Sequence, residues 1–348
     1  MADKQTTRSK QTGPKKSSAV LKVSHVRQAQ PKRGPGRPRK MPLIIPVMEE
    51  QAGRARFEQE HNSKDDVDLV DKYPMIRQHC LLIDKNVNID ELQKALIQEE
   101  RNTGVKNDVI KCVAVTCPQI SRSQLESFLM YILFNIKIEA LTIIQMARGD
   151  TMVELIVKYG MYGEEKSLRK LDFRNVEVGS GGVAALEKAL SMPDCVLEEL
   201  ILFDCGLGEK MMSHLVLGLH HNTSLKTLYL EGYRMGSTSA KAIGNMLVTN
   251  QSLTSLSVKI DNDSLCYLAE GLKQNTTLEY LRLLKSNLGS GDVDHLADVN
   301  VGNTALSCLE LERGFIEDEA MKDLEQIAKH PEGTIKALKF TCCYHIFS

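Results

Sequence analysis

The 348-residue sequence contains no tryptophan and only eight Phe and nine Tyr, so any core must be built from aliphatic side chains. It also lacks an uninterrupted apolar run of membrane-spanning length. Its most apolar stretch, residues 128–147, is broken by Asn135, Lys137, Glu139 and Gln145, which is too polar for an unaided span and divides into two elements. The opening residues lack the apolar segment of a secretory signal. The nine cysteines are an odd number without a repeating disulfide spacing. Both facts lead us to expect a reduced, intracellular protein.

Catalytic signatures are missing too. The sequence has no His-Glu-x-x-His, no Gly-Lys-Ser/Thr phosphate loop and no nucleophile elbow. Gly179-Ser-Gly-Gly182 lacks the phosphate-loop lysine and reads as a strand-to-helix turn. Cys112 and Cys117, and the adjacent Cys342 and Cys343, have no further zinc ligands at suitable spacing. His220-His221 reads as a polar loop, and Glu198, Glu199, Glu310 and Glu312 as a solvated acidic surface. We therefore expect no enzyme activity, no catalytic residues, no metal, no cofactor and no small-molecule substrate.

What is present is a repeat. The pattern apolar-x-x-apolar-x-apolar begins at Ile110, Ile138, Leu168, Leu197, Leu225, Leu253, Leu278, Leu306 and Ile335, at spacings of 28, 30, 29, 28, 28, 25, 28 and 29. Its second and third positions are Leu171/Phe173, Leu200/Leu202, Leu228/Leu230, Leu256/Val258, Leu281/Leu283 and Leu309/Leu311. Two apolar residues separated by one suit the inner face of a short strand. Amphipathic segments such as Gly182–Leu190 and Met212–His220 follow as helices. One strand with one helix cannot bury its own apolar face, so the units must stack.

Leu197-Glu-Glu-Leu-Ile-Leu-Phe-Asp-Cys205-Gly-Leu207 resembles the leucine-rich-repeat consensus, with Cys205 at its Asn/Cys position. The period near 28 and the recurring Asn222, Asn250, Asn275 and Asn303 before each apolar start are similar to the ribonuclease-inhibitor type. Val176, Tyr233, Ser286 and Gly314 depart from the Asn/Cys position, which implies local irregularity. The resemblance implies an α/β solenoid with a curved parallel sheet inside and helices outside. Residues 109–348 are assigned to it. Residues 47–108 read as a helical linker with an N-terminal cap or degenerate repeat, the latter in residues 73–104 with Cys80–Asp84 and a helix at Asp90–Arg101.

Residues two, four and six after each apolar start should face away from the helices, on the concave side. Ile201, Phe203, Tyr229, Tyr280, Arg282 and Leu284 then lie near its middle. They form the candidate site for a protein partner, whose identity the sequence does not disclose. The alternative is that they cover one another without a partner. Cys112 should share that face, and Cys205 should lie in the core as a small apolar residue.

Charge is unevenly spread. Residues 1–40 carry twelve Lys and Arg against the single acid Asp3, a net of +11; with the whole chain at −1, the remainder carries −12. Residues 1–46, polar and nearly without aromatics, are expected to be disordered. Within them, Pro31-Lys-Arg-Gly-Pro-Gly-Arg-Pro-Arg-Lys40 resembles an AT-hook through its Gly36-Arg37-Pro38 core and the flanking Lys32, Arg33, Arg39 and Lys40. Such a motif would place Arg37 in the narrow minor groove of A·T-rich DNA and set the flanking cations against phosphates. Pro35 stands where the strongest hooks carry arginine, which makes DNA binding accessory. The same cations also suit a nuclear-import segment or a general polyanion arm.

The leading expectation is a nuclear, non-enzymatic scaffold that holds a protein and touches DNA through its tail. The alternatives are a cytoplasmic leucine-rich-repeat adaptor, or a regulator of a small GTPase. Ribonuclease-inhibitor-type repeats also build GTPase-activating proteins of the Ran system, whose long acidic C-terminal run is not seen here. No membrane association is expected.

Overall fold

The computed structural model describes residues 76–341, apart from 78–79, 85–86, 104–109, 117–120, 147–148, 163–165, 262–263, 286, 313–314 and 317. These residues belong to one structural unit, Lys64–Ser348. The AT-hook-like segment 31–40, the proposed tail boundary at 46 and the Cys342-Cys343 pair lie outside the described residues.

The three apolar positions of each repeat form three continuous rows. Leu171, Leu200, Leu228, Leu256, Leu281 and Leu309 stand opposite one another on successive strands, followed two residues on by Phe173, Leu202, Leu230, Val258, Leu283 and Leu311. All twelve are essentially inaccessible, as are the nine residues that start the repeats. Because side chains alternate along a strand, this register sends one set toward the helices and the other away from them. Each core leucine removed in favour of alanine should cost about 2–5 kcal/mol.

Among the described residues, eleven strands form one sheet. The strands β1 (Ile76–Arg77), β2 (Cys80–Asp84), β3 (Cys112–Thr116), β4 (Ala140–Met146), β5 (Lys170–Val176), β6 (Glu199–Phe203), β7 (Thr227–Met235), β8 (Ser255–Ile260) and β9 (Tyr280–Lys285) neighbour one another in chain order. The two-residue strands β10 (Asn287–Leu288) and β12 (Phe315–Ile316) pair separately, while β11 (Cys308–Glu312) and β13 (Ala337–Thr341) complete the main sheet. Only β1 with β2 is antiparallel; the other ten strands of the main sheet run parallel. Helices connect the parallel strands and pack each against the next in order. This is a leucine-rich-repeat solenoid.

The strand–helix pattern reaches farther toward the N-terminus than Ile110. β2 pairs in parallel with β3, and a helix at Ile89–Thr103 connects them. Another helix differs from expectation. The segment expected at Met212–His220 runs instead from Glu209 to Leu217, with Gly218 at its C-terminal cap. There a β-carbon on Gly218 would lie 2.5 Å from the Glu187 carbonyl oxygen, so the preceding helix requires a glycine at this close approach. The apolar stretch 128–147 resolves into the end of one helix, a π-helical turn at Ile132–Ile136 and strand β4.

Asparagines lock neighbouring repeats together. The Asn250 side chain donates to Leu219 O (2.7 Å) in the preceding repeat and accepts from the Ser252 and Leu253 N–H groups (3.0 and 2.8 Å). Asn222, Asn275 and Asn303 repeat the arrangement, donating to Leu190, Leu247 and Leu272 carbonyls. All four are buried. Each amide therefore satisfies a helix-end carbonyl and the turn into the next strand, in a place water does not reach.

The strand exits share a second device. Gln145, Asn175, Asp204 and Gly232 each lie two residues beyond the last core position of their strand, and all have positive φ. At Gly232 (φ 85°) a β-carbon would meet the Asp204 backbone nitrogen at 2.4 Å, so only glycine fits. The pairing of β7 with β8 shifts between Leu230 and Met235. That is the irregularity expected where Tyr233 replaces the consensus Asn or Cys.

Candidate protein-binding face

The face of the sheet turned away from the helices carries three columns of side chains. Register places Ile201 beside Asp172 on one side and Tyr229 on the other, with Ser257, Arg282 and Glu310 continuing the line. Phe203 pairs with Arg174 and Glu231, and Lys259 with Leu284. Phe203, Tyr229, Tyr280, Arg282 and Leu284 are half-buried. Ile201 is not open to solvent as expected: it is only 7% exposed, held between neighbouring columns at the close spacing of parallel strands.

Two charged clusters frame these side chains. Arg282 reaches across the small, buried Ser257 to place its NH1 2.7 Å from Glu231 Oε1. Its Nε lies 3.1 Å from Glu310 Oε1, close enough for ion pairing but without hydrogen-bond alignment. Ser257 Oγ donates to Glu231 at 2.5 Å, and the Tyr280 hydroxyl donates to Glu310 Oε2. On β5, Arg174 forks onto Asp172, with Nε and NH2 each 2.9 Å from a carboxylate oxygen. This fork raises the guanidinium pKa further, against the opposing effect of burial. Lys170 pairs with Glu199 at 2.9 Å.

These pairs correct the reading of Glu199 and Glu310 as merely solvated, whereas Glu198 stays half exposed. Glu231 and Glu310 have side chains only 12% exposed and share one arginine; Glu199 has a lysine and Glu198 pairs with Arg169. The polar ends of Tyr280 and Arg282 are thus already engaged within the chain. This face leaves open the apolar surface of Phe203, Tyr229 and Leu284 between charges already paired within the chain. Phe203 and Leu284 lie three strands apart, about 14 Å. Glu231 is the residue whose central role was least apparent, because its partner sits two strands away.

Burial pushes the Tyr229 and Tyr280 phenols up, and the Glu310 contact pushes Tyr280 up further. Burial also raises the Cys205 thiol to about 12, keeping it a protonated core residue. Cys112 is half-buried on the open face. Along the rim where helices return to strands, Thr254, Thr277 and Ser307 line an open groove. There the Thr254 and Ser307 hydroxyls are spent on the Lys226 and Glu279 carbonyls of preceding repeats. Among the described residues no cluster of three or more His, Cys, Asp or Glu could hold a metal ion, and no helix is long and apolar enough to cross a membrane.

No protein-family profile matches the chain. It is similar to leucine-rich repeat-containing protein 45 of Gallus gallus, at 29% identity over 150 residues, covering 38% of this chain and 22% of that protein. It is also similar to NACHT, LRR and PYD domains-containing protein 4C of Mus musculus, at 29% identity over 43% of this chain and 16% of that protein. Protein 5 of the same series from Homo sapiens is 25% identical over 51% of this chain and 13% of its own length. The chain thus spans less than a quarter of each of these relatives. Among solved structures, the leiomodin-1 actin-binding site 2 covers 41% of this chain and 86% of its own at 21% identity, with a TM-score of 0.36. The relatives are leucine-rich-repeat proteins, which agrees with the fold and with a protein-interaction role.

Proposed function

We propose that this chain is a nuclear, non-enzymatic scaffold whose solenoid of ribonuclease-inhibitor-type repeats holds another protein on its open face. The observation that carries this reading is the apolar surface of Phe203, Tyr229 and Leu284 beside the Glu231–Arg282–Glu310 cluster, whose single arginine is already paired within the chain. Aromatic anchors at the centre of a patch, ringed by contacts that exclude water, are the usual core of a protein interface. Because Arg282 is already paired, the partner is selected by shape and apolar complementarity more than by a single salt bridge.

The tail supplies location. Lys32, Arg33, Gly36, Arg37, Pro38, Arg39 and Lys40 carry the AT-hook-like motif, and in this reading it makes accessory contacts to A·T-rich DNA. A peptide spanning residues 31–40 should shift A·T-rich duplexes at lower concentration than G·C-rich ones, and lose affinity steeply with salt. Equal shifts on both duplexes would leave only an import or polyanion-binding role for the segment. In cells, neutralising Lys32, Arg33, Arg37, Arg39 and Lys40 together should move the chain out of the nucleus; an unchanged distribution would contradict the nuclear assignment.

A further inference from the structure

Cys80 and Cys112 stand directly opposite one another on the parallel strands β2 and β3. Their in-chain neighbours Leu81 and Val113 point into the core, so both thiols emerge on the open face, where each is half-buried. Adjacent strands lie about 4.8 Å apart, and a disulfide joins α-carbons about 4.4–6.8 Å apart. The next residue in that column is the small Ala140, which leaves access from the β4 side. A hydrogen bond with Cys112 holds the Cys80 thiol below its usual range, with burial opposing, which favours a thiolate within the pair.

We propose that Cys80 and Cys112 form a dithiol site that exchanges with small-molecule disulfides of the glutathione type, reversibly linking the first two parallel strands. The Cys80 thiolate attacks one sulfur of the small disulfide. That S–S bond breaks, and the departing thiolate takes up the proton that Cys80 lost. Cys112 then gives up its proton and attacks the Cys80 sulfur of the mixed disulfide. The Cys80–Cys112 bond forms as the second small thiol leaves with a proton. Two protein thiols are oxidised and one small disulfide is reduced to two thiols, so atoms and electrons balance. Side chains on neighbouring parallel strands point the same way, holding their β-carbons farther apart than the about 3.8 Å an unstrained bridge favours. The bond should therefore be readily reducible, a reversible mark on the end of the binding face.

The test uses the full chain, folded and reduced, incubated with glutathione disulfide at neutral pH. Remaining thiols are then blocked with N-ethylmaleimide, and the chain is digested without reductant for mass spectrometry. The expected product is a linked pair of peptides joined at Cys80 and Cys112, two hydrogens lighter than the separate peptides and released by dithiothreitol. It should accumulate at least about tenfold faster than any modification of buried Cys205. In a Cys112→Ala variant, Cys80 should instead accumulate as its glutathione adduct. Three outcomes in the wild-type chain would overturn the proposal: separate adducts on Cys80 and Cys112, linkage of Cys112 to Cys117 instead, or no reaction at Cys80.

Discussion

Arg282 and Glu231 are joined across an intervening strand: the guanidinium NH1 passes over Ser257 to lie 2.7 Å from the carboxylate. The contact depends on the intervening side chain being short, and Ser257 adds its own hydrogen bond to the same carboxylate. Glu310 holds the other side of the arginine. A cluster of this kind fixes the shape of the open face before any partner arrives.

Removing the arginine should therefore cost more than losing an ordinary surface pair. Arg282→Ala leaves Glu231 and Glu310, both mostly buried, facing each other without a cation, and should destabilise the chain by about 1–2 kcal/mol. Replacing the cluster with neutral groups, in Glu231→Gln/Arg282→Met/Glu310→Gln, should cost less than the single change. Urea denaturation of the two variants compares them directly. A triple variant less stable than Arg282→Ala would show that the cluster is stabilising as a whole.

The asparagine ladder gives a second expectation. Asn250→Ala removes one of two hydrogen bonds to the Leu219 carbonyl and leaves two N–H groups in a buried turn without their acceptor, a loss on the order of 2–4 kcal/mol. Asn250→Asp keeps the acceptor but forfeits the donated bonds and buries a charge, so its stability should fall further as pH rises from 4 to 7. Melting curves across that range would test it. A variant equally stable at both ends would mean that the acid finds solvent.

Much of this was legible in the sequence, and the reason is the period. Three apolar positions repeated at nearly constant spacing fix which residues oppose each other, so the columns through Tyr229 and Arg282 follow by counting. Contacts that cross columns were not legible in that way. The reach of Arg282 to Glu231 depends on the size of Ser257, and the coverage of Ile201 depends on how closely its neighbours stand. The asparagines recur visibly before each apolar start, but their donation to the preceding repeat belongs to the stacked structure. The Glu209–Leu217 helix begins three residues earlier than its apolar stripe suggested, and its first residue, Glu209, serves the neighbouring repeat.

That service carries a pH dependence. Glu209 accepts from Gly236 N–H (2.5 Å), from Ser239 N–H and Oγ (2.8 and 2.9 Å) and from the Tyr233 hydroxyl (3.2 Å), capping the next helix, Ser237–Thr249. Burial pushes its pKa up, but these hydrogen bonds outweigh burial and hold it below the usual glutamate range. A depressed folded-state pKa contributes stability above the unfolded value, near 4.3, and loses it as pH falls through the folded value. Glu209→Gln should cost about 1 kcal/mol at pH 7. Its deficit relative to wild type should shrink as the pH is lowered below about 4. Parallel urea titrations would show this convergence, and a deficit constant from pH 7 to 3 would assign the effect to packing.

The covered and open members of the binding face should also separate by mutation. Ile201→Ala should lower stability by about 2–3 kcal/mol, as a core truncation does. Phe203→Ala, at a half-buried position, should cost less than about 1.5 kcal/mol. Thermal melts of the two single variants provide the comparison, and equal losses would place Phe203 in the core instead of on the open face.

The central claim is that the solenoid holds a protein through the apolar surface at Phe203 and Tyr229. Its most direct test is quantitative affinity capture with the full chain and with the Phe203→Ala/Tyr229→Ala variant, both verified as folded at the assay temperature. Loss of two interface anchors should reduce recovery of the true partner by at least about thirtyfold, the equivalent of one hot-spot residue or more. Bystander proteins should be retained equally by both baits. Recovery of every captured protein to the same extent with wild type and variant would contradict the account.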